Sequence, residues 1–276
     1  MNKDLIKDLF PQRKADSHKG TYGKTFILAG SAGMLGAAIL ASRGALRIGA
    51  GLVYLGIPTE SRDIVNIATP EVIVIPGNSQ GDFNEIIHKA DSLAFGPGLG
   101  KRRNIARDLL NKLSREKSCK PIVLDADGLA GFNGEIDSIK KLKLNLILTP
   151  HPGEMAKLLL KSVDEINKNR EKITADLAKQ LDCIVILKGY KTVVSDRNGE
   201  VYVNQTGNPG LATAGVGDVL TGIIAGLLAQ NIGAYKAACA GTYIHGLAGD
   251  LAVEDKGEYG MIAGDLVESI YKAIKR

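Results

Sequence analysis

Short, unbroken apolar runs rich in β-branched residues recur along the chain: TFILAG, LVYLGIP, EVIVIPG, SLAFGPG, PIVLDADG, NLILTPH and CIVILKG. Between several of them lie longer stretches with helical spacing, such as MLGAAILASRGALRIGAG and IARDLLNKL. Strands that are apolar throughout are buried on both faces, as in a mainly parallel sheet layered between helices. The pattern predicts a three-layer α/β/α sandwich. KTVVSD and EVYVNQ flank Asn198-Gly199, a pair suited to a type I′ turn, so an antiparallel hairpin is expected near one sheet edge. Helices are predicted over about 217–230, 234–253 and 263–274, and the glycines inside the first two, Gly222, Gly226, Gly241 and Gly246, permit close helix packing. No repeat or linker interrupts the pattern, which predicts a single domain over residues 1–276.

Composition narrows the function classes. Lysine and arginine exceed aspartate and glutamate by 35 to 30, a net charge of +5. That excess suits small anionic ligands and lacks the footprint of a nucleic-acid binder. The one tight basic cluster, Lys101-Arg102-Arg103, reads as a solvated helix start. Cys119, Cys183 and Cys239 are far apart and outside any C-x-x-C spacing, so they support neither a disulfide framework nor a zinc site and read as core or half-buried thiols. The stretch MNKDLIKDLFPQRK carries charge throughout, and no apolar run reaches bilayer length, even VLTGIIAGLLA being short. A cytoplasmic protein with no membrane partner is expected.

Candidate chemistry gathers at strand ends, where α/β folds place ligands. TFILAG runs into Gly30-Ser-Ala-Gly33-Met-Leu-Gly36-Ala37, which serves either as a tight strand-to-helix turn or as a ligand loop; it is not G-x-G-x-x-G. Gly96-Pro97-Gly98-Leu99-Gly100 follows SLAFG directly and, with Lys101, falls short of a Walker A motif. Asp125 and Asp127 alternate along an extended segment, which would aim both carboxylates one way, toward a magnesium environment, unless Asp127 caps the following turn. His151, between two prolines, is expected to face the strand-end cleft as a ligand contact rather than a base. In NPGLATAGVGDVLTG, Asp218 precedes an apolar helix. It is either a cap or an acid kept ionised by the helix N-terminus and poised to take a proton from a hydroxyl.

Taken in order, DSHKGTYGK, GSAGMLGAA, GPGLG, LDADGL, LTPHPGE, LKGYKTVV, NPGLATAGVGDVLTG and YIHGLAGD resemble the ADP-dependent NAD(P)H-hydrate dehydratases, of the ribokinase-like superfamily, across nearly the whole chain. One motif alone is weak; eight in sequence are specific. Val216 departs from the family, which usually has threonine there; the hydroxyl is lost while the loop's backbone donors and its acid remain. The resemblance implies a ribokinase-like fold and a carbon–oxygen lyase that restores NADH or NADPH from the S-form hydrate, turning ADP into AMP and phosphate. It implies Asp218 as base and the backbone of Gly215, Val216 and Gly217 as an anion hole. It implies hydrated-dinucleotide contacts at Ala37, Gly98, His151 and Asp218, and ADP contacts at Lys188, Gly189, Tyr190, Lys191, Thr192 and Gly217. It further implies Mg2+ organised by Glu154 through water, ADP as phosphoryl donor with ATP as the alternative, a homo-oligomer such as a tetramer, and pairing with a separate epimerase. The competing reading is a ribokinase-like kinase of a small alcohol such as a vitamin precursor, since the same anion hole and acid would serve it.

Overall fold

The computed structural model describes residues 3–275; Met1, Asn2 and Arg276, which the single-domain expectation included, lie outside the described residues. A nine-stranded sheet runs β3-β2-β1-β4-β5-β6-β7-β8-β9, with β1 Lys24–Leu28, β2 Leu52–Ile57, β3 Ile73–Pro76, β4 Ser92–Phe95, β5 Pro121–Leu124, β6 Asn145–Leu148, β7 Ile184–Leu187, β8 Val193–Ser195 and β9 Val201–Val203. β1 to β7 pair in parallel, and β7-β8 and β8-β9 pair antiparallel. This is the predicted layered sandwich with its edge hairpin.

The strands are mostly apolar on both faces because alternate residues enter different cores. Ile27, Ala94, Val123, Ile147 and Ile186 join one cluster with the helices Leu35–Arg47, Val216–Ala229, Ala234–Gly260 and Ala263–Lys275. Phe26, Leu28, Phe95, Leu124 and Leu187 join the other, beneath helices that include Arg103–Arg115 and Arg170–Leu181.

The hairpin turn differs from the one the Asn198-Gly199 pair predicts. Only Gly199 has a positive φ, +82°, and Asp196 N–H donates to the Glu200 carbonyl at 3.2 Å. The Asp196 carboxylate accepts from the N–H groups of both Asn198 and Glu200, which holds Asn198 out of the left-handed region and makes a longer, bulged turn. The helix expected to stop near Val253 runs on to Gly260, with a break at Gly257. Cys119 is exposed, whereas Cys183 and Cys239 are buried as expected. Among the described residues no helix is long and apolar enough to cross a membrane.

Two parallel helices set the site. Leu40 meets Gly215, Ala41 meets Gly222 and Ile48 meets Gly226, so Leu35–Arg47 and Val216–Ala229 run in register with both N-termini at the carboxyl ends of the strands. The approach depends on a missing side chain, because a Cβ on Gly222 would lie 1.8 Å from the Ala41 carbonyl oxygen. Gly222→Ala is expected to lower the unfolding free energy by about 1–3 kcal/mol or more in denaturant titrations. Gly233→Ala, whose Cβ would meet nothing within 4 Å, is expected to stay within about 0.5 kcal/mol of the parent. Equal effects from the two would contradict the backbone-contact argument.

Candidate functional site

The residues singled out by sequence converge at the carboxyl ends of β1, β4, β5, β6 and β7. The chain order 3-2-1-4 reverses between β1 and β4, the kind of switch point where a crevice forms. The two glycine loops that leave those strands are stitched together: Gly30 N–H donates to the Pro97 carbonyl at 2.8 Å, and Ser31 Oγ donates to the Gly98 carbonyl at 2.9 Å. A Cβ on Gly98 would come within 2.9 Å of the Ala37 Cβ, so these two predicted contacts are neighbours and Gly98 has no room for a side chain.

Arg102 is the surprise of this corner. Read from sequence as part of a solvated helix start, its guanidinium instead turns inward and donates to the carbonyls of Gly30 at 2.7 Å and Gly77 at 2.8 Å, tying three loops together. Its partial burial lowers its proton affinity, opposed by Glu60.

A cavity of about 650 Å3 opens beside the start of the helix Val216–Ala229. Its walls include every residue of the predicted nucleotide segment, Lys188, Gly189, Tyr190, Lys191 and Thr192, together with His151, Val216 and Gly217. Tyr190 is 86% exposed, which leaves its ring free to stack on a ligand. His151 thus shares this cavity with the nucleotide segment. It also caps the helix Pro152–Leu159, its Nδ1 accepting from Gly153 N–H while Glu154 Oε2 accepts from its own N–H at 2.8 Å. The flanking Pro152 occupies the first helical turn, where a missing N–H costs nothing, so a helix begins immediately after the histidine.

Between the cavity and the glycine loops lies the first turn of Val216–Ala229. Gly215 caps it with φ +87°, and Asp218 sits in the turn, half-buried. Backbone N–H groups of such a turn have no partner within the helix and point out of its end, which makes the predicted anion hole available. Val216 is buried in the core, so replacing a hydroxyl there with a methyl is accommodated by apolar packing. Its carbonyl accepts from His245 Nε2 at 3.0 Å; burial drops that imidazole to about 4, against the pull of the carbonyl, so it is neutral with Nε2 as its donor. His245 lines the cavity and has no sequence signal beyond its place in YIHGLAGD.

Beneath the turn is a buried ion pair. Lys188 Nζ donates to Asp125 Oδ1 at 2.6 Å and lies 3.8 Å from Glu154 Oε2. Burial disfavours its charged form, but Asp125 and Glu154 outweigh that, so the ammonium is held more tightly than usual. Asp125 and Asp127 do not point together as an extended segment would have them. The chain turns helical at Ala126, and Asp127 caps a different loop, accepting from Gly100 N–H at 2.8 Å. Asp127 thereby links the Gly98 loop to the neighbourhood of Asp218.

Asp218 departs from the expectation that the helix terminus keeps it ionised. Burial, then Asp125, Glu154 and Asp127, push its carboxyl up to about 7, with Lys188 opposing. No protein group hydrogen-bonds it among the described residues. A carboxyl with a pKa near neutrality is well placed to take and return a proton. Because the folded pKa is raised above the unfolded value, this group favours the fold most at low pH and loses that contribution as pH rises toward 7. Asp218→Asn is therefore expected to be more stable than the parent at pH 8, by on the order of 1–3 kcal/mol, and to lose that advantage near pH 4. A pH-independent difference in denaturant titrations would contradict the raised pKa.

Comparison with known proteins shows the family. Residues 25–272 match the model of the NAD(P)H-hydrate dehydratase family. An ADP-dependent (S)-NAD(P)H-hydrate dehydratase of Neisseria meningitidis is 40% identical over 262 residues, covering 94% of this chain and 87% of that protein. A bifunctional NAD(P)H-hydrate repair enzyme of Moorella thermoacetica is 41% identical over 268 residues, and the chain spans about half the length of that and similar bifunctional relatives. The crystal structure of the ADP/ATP-dependent NAD(P)H-hydrate dehydratase of Bacillus subtilis, co-crystallised with ATP and Mg2+, superposes with a TM-score of 0.86 at 31% identity, covering 100% of this chain and 97% of that one. The fold is the ribokinase-like one, and the chain belongs to the NAD(P)H-hydrate dehydratase family.

Proposed function

We propose that the chain dehydrates the S-form hydrate of NADH or NADPH back to the reduced dinucleotide at the expense of ADP, releasing AMP and phosphate. The observation that carries this reading is Asp218, a half-buried acid without a hydrogen-bond partner among the described residues, in the helix turn whose Val216 and Gly217 line the cavity. The named relatives favour it over phosphorylation of a small alcohol.

Hydroxide is a poor leaving group, so the hydroxyl must first be made a better one. Asp218 takes the hydroxyl proton as the hydrate oxygen attacks the terminal phosphorus of ADP; the new O–P bond forms while the bond to the bridging oxygen breaks, releasing AMP. First-turn N–H groups of Gly215, Val216 and Gly217 meet the charge on the phosphoryl oxygens, which is positioning and electrostatics rather than covalent catalysis. The carbon–oxygen bond then breaks with both electrons leaving on phosphate, the ring nitrogen lone pair stabilising the cation left behind. Loss of a proton from the adjacent ring carbon restores the double bond.

The nucleotide occupies the cavity along Lys188, Gly189, Tyr190, Lys191 and Thr192, with Gly217 at its inner end, and the hydrate lies against Ala37 and Gly98, with His151 at the boundary. Among the described residues no three acid, histidine or cysteine side chains converge to hold a metal directly. Three carboxylates, Asp125, Glu154 and Asp218, nevertheless act on the single ammonium of Lys188, with Asp127 close to Asp218. That surplus of negative charge suits Mg2+ carried in by nucleotide phosphates and met by Glu154 through water, since Mg2+ keeps several of its waters. When bound, the ion would neutralise phosphate charge. A homotetramer in the cytoplasm, supplied with the S-form by an epimerase activity such as the one joined to this domain in the bifunctional relatives, completes the reading.

Asp218→Asn is expected to cut turnover of hydrated NADH by about 10²–10⁴-fold while ADP affinity, read by calorimetry, stays within about tenfold. Recovery of the reduced nicotinamide absorbance at the parent's rate would remove the proposed base. With the parent enzyme, ADP is expected to support that recovery at least as well as ATP, and no stable phosphorylated product should accumulate from thiazole or pyrimidine alcohols.

A further inference from the structure

The role of Asp125 is assigned by neither the fold nor the reaction. It is 1% exposed at the end of β5 and is gripped from three elements: Thr149 Oγ1 donates to its Oδ1 at 2.7 Å, Thr221 Oγ1 to its Oδ2 at 2.7 Å, and Lys188 Nζ to its Oδ1 at 2.6 Å. A buried carboxylate held by three donors is fixed in place and cannot swing to a ligand without breaking those bonds. Its one mobile partner is Lys188, whose long stem would otherwise sample many rotamers.

The ammonium is held at a telling place. A Cβ built on Gly217 would lie 3.4 Å from Lys188 Nζ, so the charge sits against the open flank of the first turn of Val216–Ala229, on the cavity wall. The helix N-terminus and the ammonium, already paired with Asp125 and Glu154, thus face the same flank, where a phosphoryl oxygen would meet donors from both. Arg170 steadies the other side of the same segment, donating to the carbonyls of Leu187 at 2.9 Å and Lys188 at 3.1 Å.

We propose that Asp125 is a positioning residue that holds the Lys188 ammonium against the phosphoryl group during its transfer, so that Lys188 stabilises the transferring group more than it stabilises bound ADP. This rests on the dehydratase reading above. Lys188 takes no proton in the step; it offers a fixed positive charge to the oxygens of the phosphorus that passes from ADP to the hydrate hydroxyl.

The test is steady-state kinetics with hydrated NADH and ADP on the parent, Lys188→Met, Lys188→Arg, Asp125→Asn and the charge-neutral double Asp125→Asn/Lys188→Met. Lys188→Met is expected to lower kcat by about 10²-fold or more, with the KM for ADP rising less than about tenfold, and Lys188→Arg to recover part of that loss. Asp125→Asn is expected to lower kcat in the same direction, and the double variant to match Lys188→Met within about threefold, because Asp125 acts through the lysine. A kcat for Lys188→Met within about threefold of the parent, losses that multiply in the double, or a fall in kcat matched by an equal rise in KM would each overturn the proposal. Should a single variant fail to fold, the double carries the same kcat and KM criteria alone. A parent enzyme that yields no NADH at all would instead defeat the dehydratase reading.

Discussion

Close approach of two helix backbones, permitted at Gly222 by the absence of a side chain, is the constraint from which the rest of the site follows. It lets Val216–Ala229 lie against the central strands and alongside Leu35–Arg47, so that the two N-termini end together over the strand ends. One terminus carries Gly215, Gly217 and Asp218; the other begins just before Ala37. The same packing buries Thr221 against Asp125, which ties the helix to the sheet through a polar contact rather than through apolar packing alone.

Electrostatics then set the protonation of this corner. Without a ligand, carboxylates outnumber the ammonium, and the acid nearest the helix end responds by holding its proton more tightly. The macrodipole is worth a few tenths to about 1 kcal/mol at an exposed terminus, whereas burial among like charges moved this carboxyl to about 7 from its ordinary 3.8. Burial therefore wins over the helix end. Lys188 escapes the same fate because two acids face it directly, which keeps it charged beside the first turn of Val216–Ala229.

Much of this was legible in the order of residues. Uninterrupted apolar strands announced two cores, and the glycines at 222 and 226 announced close helices, because both signals depend on local spacing. The grouping of Lys188 to Thr192 along one cavity agrees with the family resemblance. Less legible were features set by long-range contact. Arg102 looked like surface charge because nothing near it in sequence shows that the Gly30 and Gly77 carbonyls need donors. Asp125 and Asp127 look paired in an extended chain and part only because Ala126 adopts φ +45°. Asn198-Gly199 named the hairpin but not its turn type, which the Asp196 side chain decides. His245 sits far along the chain from the carbonyl it binds, and no spacing rule links them.

The central claim is that the hydrate's own hydroxyl oxygen becomes part of the phosphate that leaves. It is tested most directly by turning over hydrated NADH labelled with 18O at that hydroxyl and analysing the released phosphate by mass spectrometry. The account requires one 18O in each phosphate formed with NADH; unlabelled phosphate, with the isotope recovered in water, would contradict it.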